Sequence, residues 1–387
     1  MRSFMIFIFI SLAILIYALV NFYIFSKGWQ SLDGVRREWR LAYGVVFIAL
    51  ALSFIAGRFL ERAGSSVFTD ILVWTGSFWL AVMLYGFLAS VLSDILLLAA
   101  NLFKVKTLQF LLTGAAWKLW TFLVTAGLIL IITLAGFFNA CNVRVKKLEI
   151  NIPKNAGQFK ELNITMASDI HLGTIIGNGR LGRLVDKINA TDPDLVILAG
   201  DIVDEDIGPV IRRDMGKKLK EIQARYGVIG ITGNHEYIGG VKKAVEYLEA
   251  HGIKMLMDDK VLIADALWIV GRKDRSGARF DGSPRKPLKD ILSGLDQNLP
   301  VILLDHQPFA LEDAVSNGAD LQLSGHTHHG QLWPLNLITN RVYEKSWGYL
   351  RKGSTHYYIS SGAGTWGPPV RIGNSPEIVS LKISFNK

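Results

Sequence analysis

The chain predicts a helical membrane domain followed by an α/β domain, and two observations carry that expectation. Half of its 387 residues are hydrophobic and only 19% are charged. That balance is too apolar for a single water-soluble domain, and the excess lies before residue 140. Beyond residue 144 the pattern changes to short apolar runs alternating with helical periodicity, which is how strand, helix, strand repetition reads.

Four stretches in the first part are long and nearly free of charge, at residues 4–25, 41–57, 71–100 and 119–140. Each is long enough to cross a hydrocarbon core of about 30 Å, which takes about 20 helical residues. Arg2 before the first stretch resembles the start of a signal peptide, but the apolar run exceeds the usual length of a signal core. Its retention as a span is therefore expected. The third stretch is longer than a crossing requires and carries Asp94, so residues 92–103 are expected to leave the membrane or lie along its interface. Trp29, Trp39, Trp117 and Trp120 sit near the ends of these stretches, as an interfacial belt would place them.

Basic residues flank the stretches almost evenly, so they do not fix the orientation. With four spans, the N-terminus and the C-terminal domain share a side of the membrane. The single Cys141 excludes an internal disulfide. With no convincing cleavable signal either, the expectation is a multi-pass protein of the cell membrane whose C-terminal domain leans to the cytoplasm. The formal net charge of +9 is spread over loops beside the spans. It is better matched to anionic lipid headgroups than to nucleic acid, which is not expected as a partner. A basic cluster from Arg272 through Arg275, Arg279, Arg285 and Lys286 reads as a solvated surface loop, with a place at the border of a pocket as the alternative.

In the C-terminal part, residues 144–152 alternate polar and apolar and are expected to form a hairpin with 162–167. Helices are expected at 181–189, 210–226 and 241–251, alternating with strands at 195–199, 228–232, 267–270 and 301–304. Later strands at 321–324, 357–360 and 378–383 imply a second sheet packed on the first. The aromatic and glycine-rich stretch 330–371 reads as a loop system beside a site.

Five motif groups follow one another through this region. They are Asp169-x-His171, Gly200-Asp201-x-x-Asp204, Gly233-Asn234-His235-Glu236, Asp305-His306 and Gly325-His326-x-His328-His329. Most follow an apolar β-type run, where an α/β sheet presents its chemistry. Of the eight histidines, six (His171, His235, His306, His326, His328 and His329) fall on these motifs. Each motif alone is weak, but the ordered set is specific. Hard oxygen and imidazole donors without a thiolate suit Mn, Fe or Zn.

This ordered set resembles the calcineurin-like metallophosphoesterases, and GHTHHGQLW at 325–333 resembles their membrane-associated bacterial branch. The resemblance covers roughly residues 148–383. It implies a four-layer β-sandwich metallophosphoesterase domain at 143–387, behind a transmembrane helical domain at 1–142. It also implies two divalent metal ions (Mn, Fe or Zn), with Asp201 bridging them. Asp169, His171 and His328 would complete the first ion, and Asn234, His306 and His326 the second. A metal-bound hydroxide would attack phosphorus while His235, as catalytic general acid, protonates the leaving alkoxide. Asp204 is expected to orient a ligand, and Glu236 and Asp305 to stand behind the ligands. His329 is expected at the pocket rim, and His251 and His356 as ordinary surface residues. Arg371 is a candidate substrate-binding clamp on a phosphate oxygen.

The function expected from all this is a manganese-type phosphodiesterase or pyrophosphatase at a membrane, placing the chain in lipid metabolism. Its partners would be membrane lipids and a phosphorylated small-molecule or lipid substrate. Headgroups such as that of UDP-diacylglucosamine are among the substrates that the resembling branch includes. The alternative is a membrane sensor or scaffold that binds a ligand without turnover. A transporter is disfavoured, because Asp70 and Asp94 lie near span ends rather than mid-membrane.

Overall fold

The computed structural model describes residues 2–386, and by packing the chain divides into two compact units, 1–136 and 137–387. In the first unit run α1 (Arg2–Ser31), α2 (Arg37–Ala63), α3 (Val67–Leu102) and the short α4 (Lys106–Thr113), followed by α5 (Ala115–Ala140). Four of these helices are long and apolar enough to cross a membrane. Small residues bring α2 and α3 together: a methyl group at Gly76 would collide with the Phe54 backbone, and one at Gly57 with Leu72 and Val73. Close backbone approach of this kind replaces the hydrophobic drive that lipid does not supply. α3 starts at a capping box of Ser66 and Thr69.

Residues 92–102 continue α3 without a break, giving a 36-residue helix that is longer than a crossing requires. Asp94 is accommodated by an ion pair with Lys27 and by a 2.5 Å hydrogen bond from the Tyr23 hydroxyl, both on α1.

The second unit holds two six-stranded sheets. The first has the order β1 (Arg144–Asn155), β12 (Glu377–Asn386), β2 (Glu161–Ala167), β3 (Leu195–Ala199), β4 (Val228–Ile231) and β5 (Ile253–Met255). The second has the order β10 (Gly348–Lys352), β11 (Thr355–Ile359), β9 (Leu321–Ser324), β8 (Val301–Leu304), β7 (Leu267–Gly271) and β6 (Asp259–Ile263). Strands β2 to β5 run parallel, as do β7, β8, β9 and β11.

The period of two decides which side chains meet between the sheets. Ile302 and Leu304 of β8 join Ile164, Met166, Ile197 and Leu381 in the inter-sheet core. Their neighbours Val301 and Leu303 face the other way, against Leu288, Ile291 and Leu292 of the helix Leu288–Leu292. On the first sheet, α6 (Asn178–Asn189) buries Leu181, Leu184, Val185 and Ile188, a spacing that lines one helical face. Helices outside two stacked sheets make the four layers that the sequence implied.

Three expectations are corrected. β1 does not form a hairpin with β2: it pairs in parallel with β12, which inserts antiparallel to β2 with Val379 opposite Met166. The expected helix 210–226 is two short helices, Gly208–Arg212 and Gly216–Leu219. Asp214 between them is left-handed at φ 48°, a turn that a continuing helix does not contain. The stretch 330–371 contains the helix Leu335–Val342 and the hairpin of β10 with β11.

Candidate metal centre

The motif residues occupy the loops that leave the C-terminal ends of parallel strands in both sheets. Asp169 and His171 follow β2, Asp201 follows β3, and Asn234 and His235 open a helix just after β4. From the second sheet, His306 follows β8, and His326 and His328 follow β9. The chain turns sharply at these ends: Asp169, His171, Asp201, His326 and His328 all have left-handed φ between 47° and 73°. Each such residue costs on the order of 1–3 kcal/mol, a strain typical of sites that must hold side chains in set directions.

Close packing fixes the two sheets against each other here. The His326 amide donates to Asp169 Oδ1 (2.9 Å) and the His235 amide to Asp201 Oδ1 (2.9 Å). His306 Nδ1 donates to the Ala199 carbonyl at 2.8 Å, which sets its tautomer and turns Nε2 toward Asp201. At Gly325 a methyl group would strike the Asp169 carboxylate, so only glycine lets the second sheet approach so closely.

Two sets of donors converge. In the first, His171 Nε2 and His328 Nε2 are 3.0 Å apart, His328 Nε2 is 3.5 Å from Asp169 Oδ1, and His171 Nε2 is 4.0 Å from Asp201 Oδ2. In the second, His306 Nε2 is 3.1 Å from Asp201 Oδ2 and His326 Nδ1 is 2.8 Å from Asn234 Oδ1. Asp201 touches both sets.

These residues fit a pair of divalent ions. Asp169 Oδ2 and His306 Nε2 are buried without any hydrogen bond, an expensive state for a polar atom that does not ligate. The 3.1 Å approach of His306 Nε2 to Asp201 is a close contact without hydrogen-bond alignment. Spacings of 3.0–4.0 Å are what neighbouring ligands take around one ion with bonds of about 2.1 Å.

The electrostatics agree. Burial pushes His328 well below the ordinary histidine value, helped by His171 and Arg371, and burial with His306 lowers His326. Neutral imidazoles of this kind offer lone pairs. Against burial, Asp201 and Asp169 hold a proton on His306, while His306, His235 and His171 keep the Asp201 carboxyl well below its usual range. Metal binding would displace that proton.

Asp204 flanks two rings, with Oδ1 3.0 Å from His235 Nδ1 and 3.8 Å from His171 Nδ1. These three residues also converge as a conceivable ligand trio. The 3.0 Å hydrogen bond instead makes Asp204 the residue that orients His235 and leaves its Nε2 free. Burial opposes charge on His235, but Asp201 and Asp204 prevail and push it up to about 9 in the metal-free site.

Glu236 accepts from the amides of Val203 (2.9 Å) and Gly233 (2.7 Å) and so pins the turn that carries Asn234. Asp305 is buried against Arg272 (3.1 Å) and Arg285 (3.0 Å). That pairing corrects the reading of the basic cluster as a purely solvated loop. His329 hydrogen-bonds Ser346 Oγ (2.9 Å) and lies against Trp347. Of the aromatic stretch, Trp366 comes nearest the reacting groups, its ring 6.0 Å from that of His235 and half exposed.

Two further expectations fail. Arg371 is not available to a substrate: its guanidinium is fully buried and donates to the carbonyls of Ser361 (2.7 Å), Gly364 (2.7 Å) and Gly362 (3.2 Å) and to Asn374 Oδ1 (3.1 Å). It also lies 3.2 Å from His328 Nδ1, so it holds a ligand loop in place. His356 is buried on β11, with Nδ1 2.8 Å from the hydroxyl of Tyr349 on β10, and His251 is half-buried with Nδ1 donating to the Tyr247 carbonyl. The sequence missed the role of Asn374, whose amide caps the His328 and His329 carbonyls at 3.3 and 3.0 Å. No motif marks it, because the contact joins two loops 46 residues apart.

Residues 162–330 match the family model described as calcineurin-like phosphoesterase. An uncharacterized metallophosphoesterase of Campylobacter jejuni is 33% identical over 63% of this chain and 64% of its own length. A zebrafish (Danio rerio) protein described as a transmembrane protein with metallophosphoesterase domain is 30% identical over 65% of this chain and 60% of its own. An uncharacterized metallophosphoesterase of Aquifex aeolicus is 32% identical over 62% of this chain and 92% of its own. The chain thus spans less than two thirds of the first two relatives.

Proposed function

Because the chain belongs to the calcineurin-like metallophosphoesterase family, we propose that it is an integral-membrane, binuclear metal-dependent hydrolase of phosphodiester or pyrophosphate bonds. The observation that supports this most is the convergence of seven donors, Asp169, His171, Asp201, Asn234, His306, His326 and His328, around a shared carboxylate with none missing. A degenerate binder would be expected to have lost at least one of them. Asp169, His171 and His328 would hold one ion, Asn234, His306 and His326 the other, and Asp201 both. When bound, Mn, Fe or Zn ions would supply an activated water and compensate the charge that builds on the phosphate.

The chain's own part is positioning and proton transfer. Asp201 and Asp204 favour the protonated form of His235, and Asp204 holds its Nδ1, so Nε2 would be the atom that delivers a proton to the leaving oxygen. Trp366 beside His235 offers an apolar face to the leaving group. Membrane spans in the same chain favour a lipid-borne substrate, UDP-diacylglucosamine or another phosphodiester headgroup, with membrane lipids as the other partners. The catalytic domain would face the cytoplasm, in keeping with a single cysteine, Cys141, that can form no internal disulfide.

The test is hydrolysis of a chromogenic phosphodiester by purified, manganese-loaded full-length protein beside Asp201→Ala. Turnover that falls to background in the variant, with the metal content of the preparation reduced, supports the binuclear reading. Equal turnover in both would assign the activity to a contaminant, and metal-loaded wild type without turnover on any phosphodiester or pyrophosphate would favour a binding role.

A further inference from the structure

The first unit contains a cavity of about 540 Å³ between α1, α2, α3 and α5. Its lining changes character along its length. Lys27, Ser31, Ser90, Asp94, Lys118 and Thr121 lie toward one end. Toward the other lie Phe47, Leu50, Trp79, Val82, Ile129 and Leu130. The polar positions come from the end of α1, the last third of α3 and the start of α5, which antiparallel spans bring to the same membrane surface.

The reach can be worked from helix geometry. From Lys118 to Leu130 on α5, and from Asp94 to Trp79 on α3, is about 18–22 Å at about 1.5 Å per residue. That carries the apolar end past the middle of a hydrocarbon core of about 30 Å. The volume lies within the range of about 300–1,000 Å³ usual for small-molecule sites. Gly28, Gly86, Ala89 and Ala126 are among its lining, and at Gly28 a methyl group would strike the Tyr43 hydroxyl.

The charge is unbalanced. Asp94 is the one acidic residue in the lining, and it is already paired with Lys27. Lys118, half-buried, has no carboxylate partner among the described residues. A cation near an interface with hydroxyls around it and an apolar shaft below it is complementary to an anionic amphiphile.

We propose that this cavity binds one phospholipid with an anionic headgroup, its phosphate at Lys118 and one of its acyl chains along Trp79 and Leu130. The proposal stands independently of the hydrolase reading, since it uses no residue of the metal centre. The bound lipid would fill the space that otherwise separates α5 from the other spans.

The test is native mass spectrometry of full-length protein released from bilayers of equal parts phosphatidylglycerol and phosphatidylcholine. One phosphatidylglycerol retained per chain is expected, about tenfold preferred over phosphatidylcholine. Lys118→Gln is expected to bring that preference close to one, Lys118→Arg to keep it, and Ala126→Trp, which fills the shaft, to lose the retained lipid. No retained lipid in wild type, equal retention in Ala126→Trp, or a preference unchanged in Lys118→Gln overturns the proposal. Should Ala126→Trp fail to fold, the comparison of Lys118→Gln with Lys118→Arg decides.

Discussion

Replacing Arg371 by methionine separates two roles for this buried cation behind the metal centre. Methionine keeps much of the length and removes every donor. Gly362 O keeps the Glu377 amide as donor, whereas Ser361 O and Gly364 O have only the guanidinium. Each orphaned buried carbonyl costs about 1–3 kcal/mol. Relief of the cost of burying a guanidinium, whose pKa burial draws down to about 10, offsets part of that. A net loss of about 2–4 kcal/mol is expected, a fall in Tm of roughly 4–16 °C for a domain of this size. His328 loses its neighbour at Nδ1, so metal affinity should fall as well. The assays are thermal unfolding of the metal-free protein, metal titration, and KM for a chromogenic phosphodiester. An unchanged Tm together with a KM raised tenfold or more would refute the buried, structural role and restore Arg371 as a substrate clamp.

Other perturbations separate the parts of the site. Asp204→Asn should lower kcat about 10–100-fold by releasing His235, with metal content unchanged; loss of metal instead would make Asp204 a ligand. Gly325→Ala should force the Asp169 carboxylate aside and weaken metal binding at the Asp169 position, read by titration of the metal and by Tm. Glu377→Gln tests pH dependence: burial raises the Glu377 pKa, outweighing hydrogen bonds from Ser361, Trp347 and Tyr358. The folded state therefore holds the proton more tightly than the unfolded chain. Stability is lost as pH rises from the ordinary glutamate value through the folded one and is constant above it. The Tm of Glu377→Gln relative to wild type should accordingly climb as pH rises through that window and then level off. A flat difference would place Glu377 in an environment no drier than water.

The sequence by itself determined the four long apolar helices, because a run of apolar residues long enough to cross a bilayer is a local property, and it determined most strands that precede a motif for the same reason. β3 and β8 occupy the residues expected, since five or four apolar residues bounded by turn signals leave little choice. The donor types were legible too: Asp, Asn and His at strand ends are written in order along the chain. Tertiary structure alone decided who meets whom. β12 separates β1 from β2 although they are neighbours in sequence, because pairing between residues more than 200 apart leaves no local trace. Arg371 reads as a free cation in a glycine-rich loop and proves to be spent on backbone carbonyls, and His356 reads as a surface residue and is buried on β11 beside Tyr349. Asp204 shows which partner it serves only once β3 and β4 lie side by side. Chemical identity is carried by each residue, whereas burial, protonation and hydrogen-bond partner depend on distances that exist only after the two sheets close.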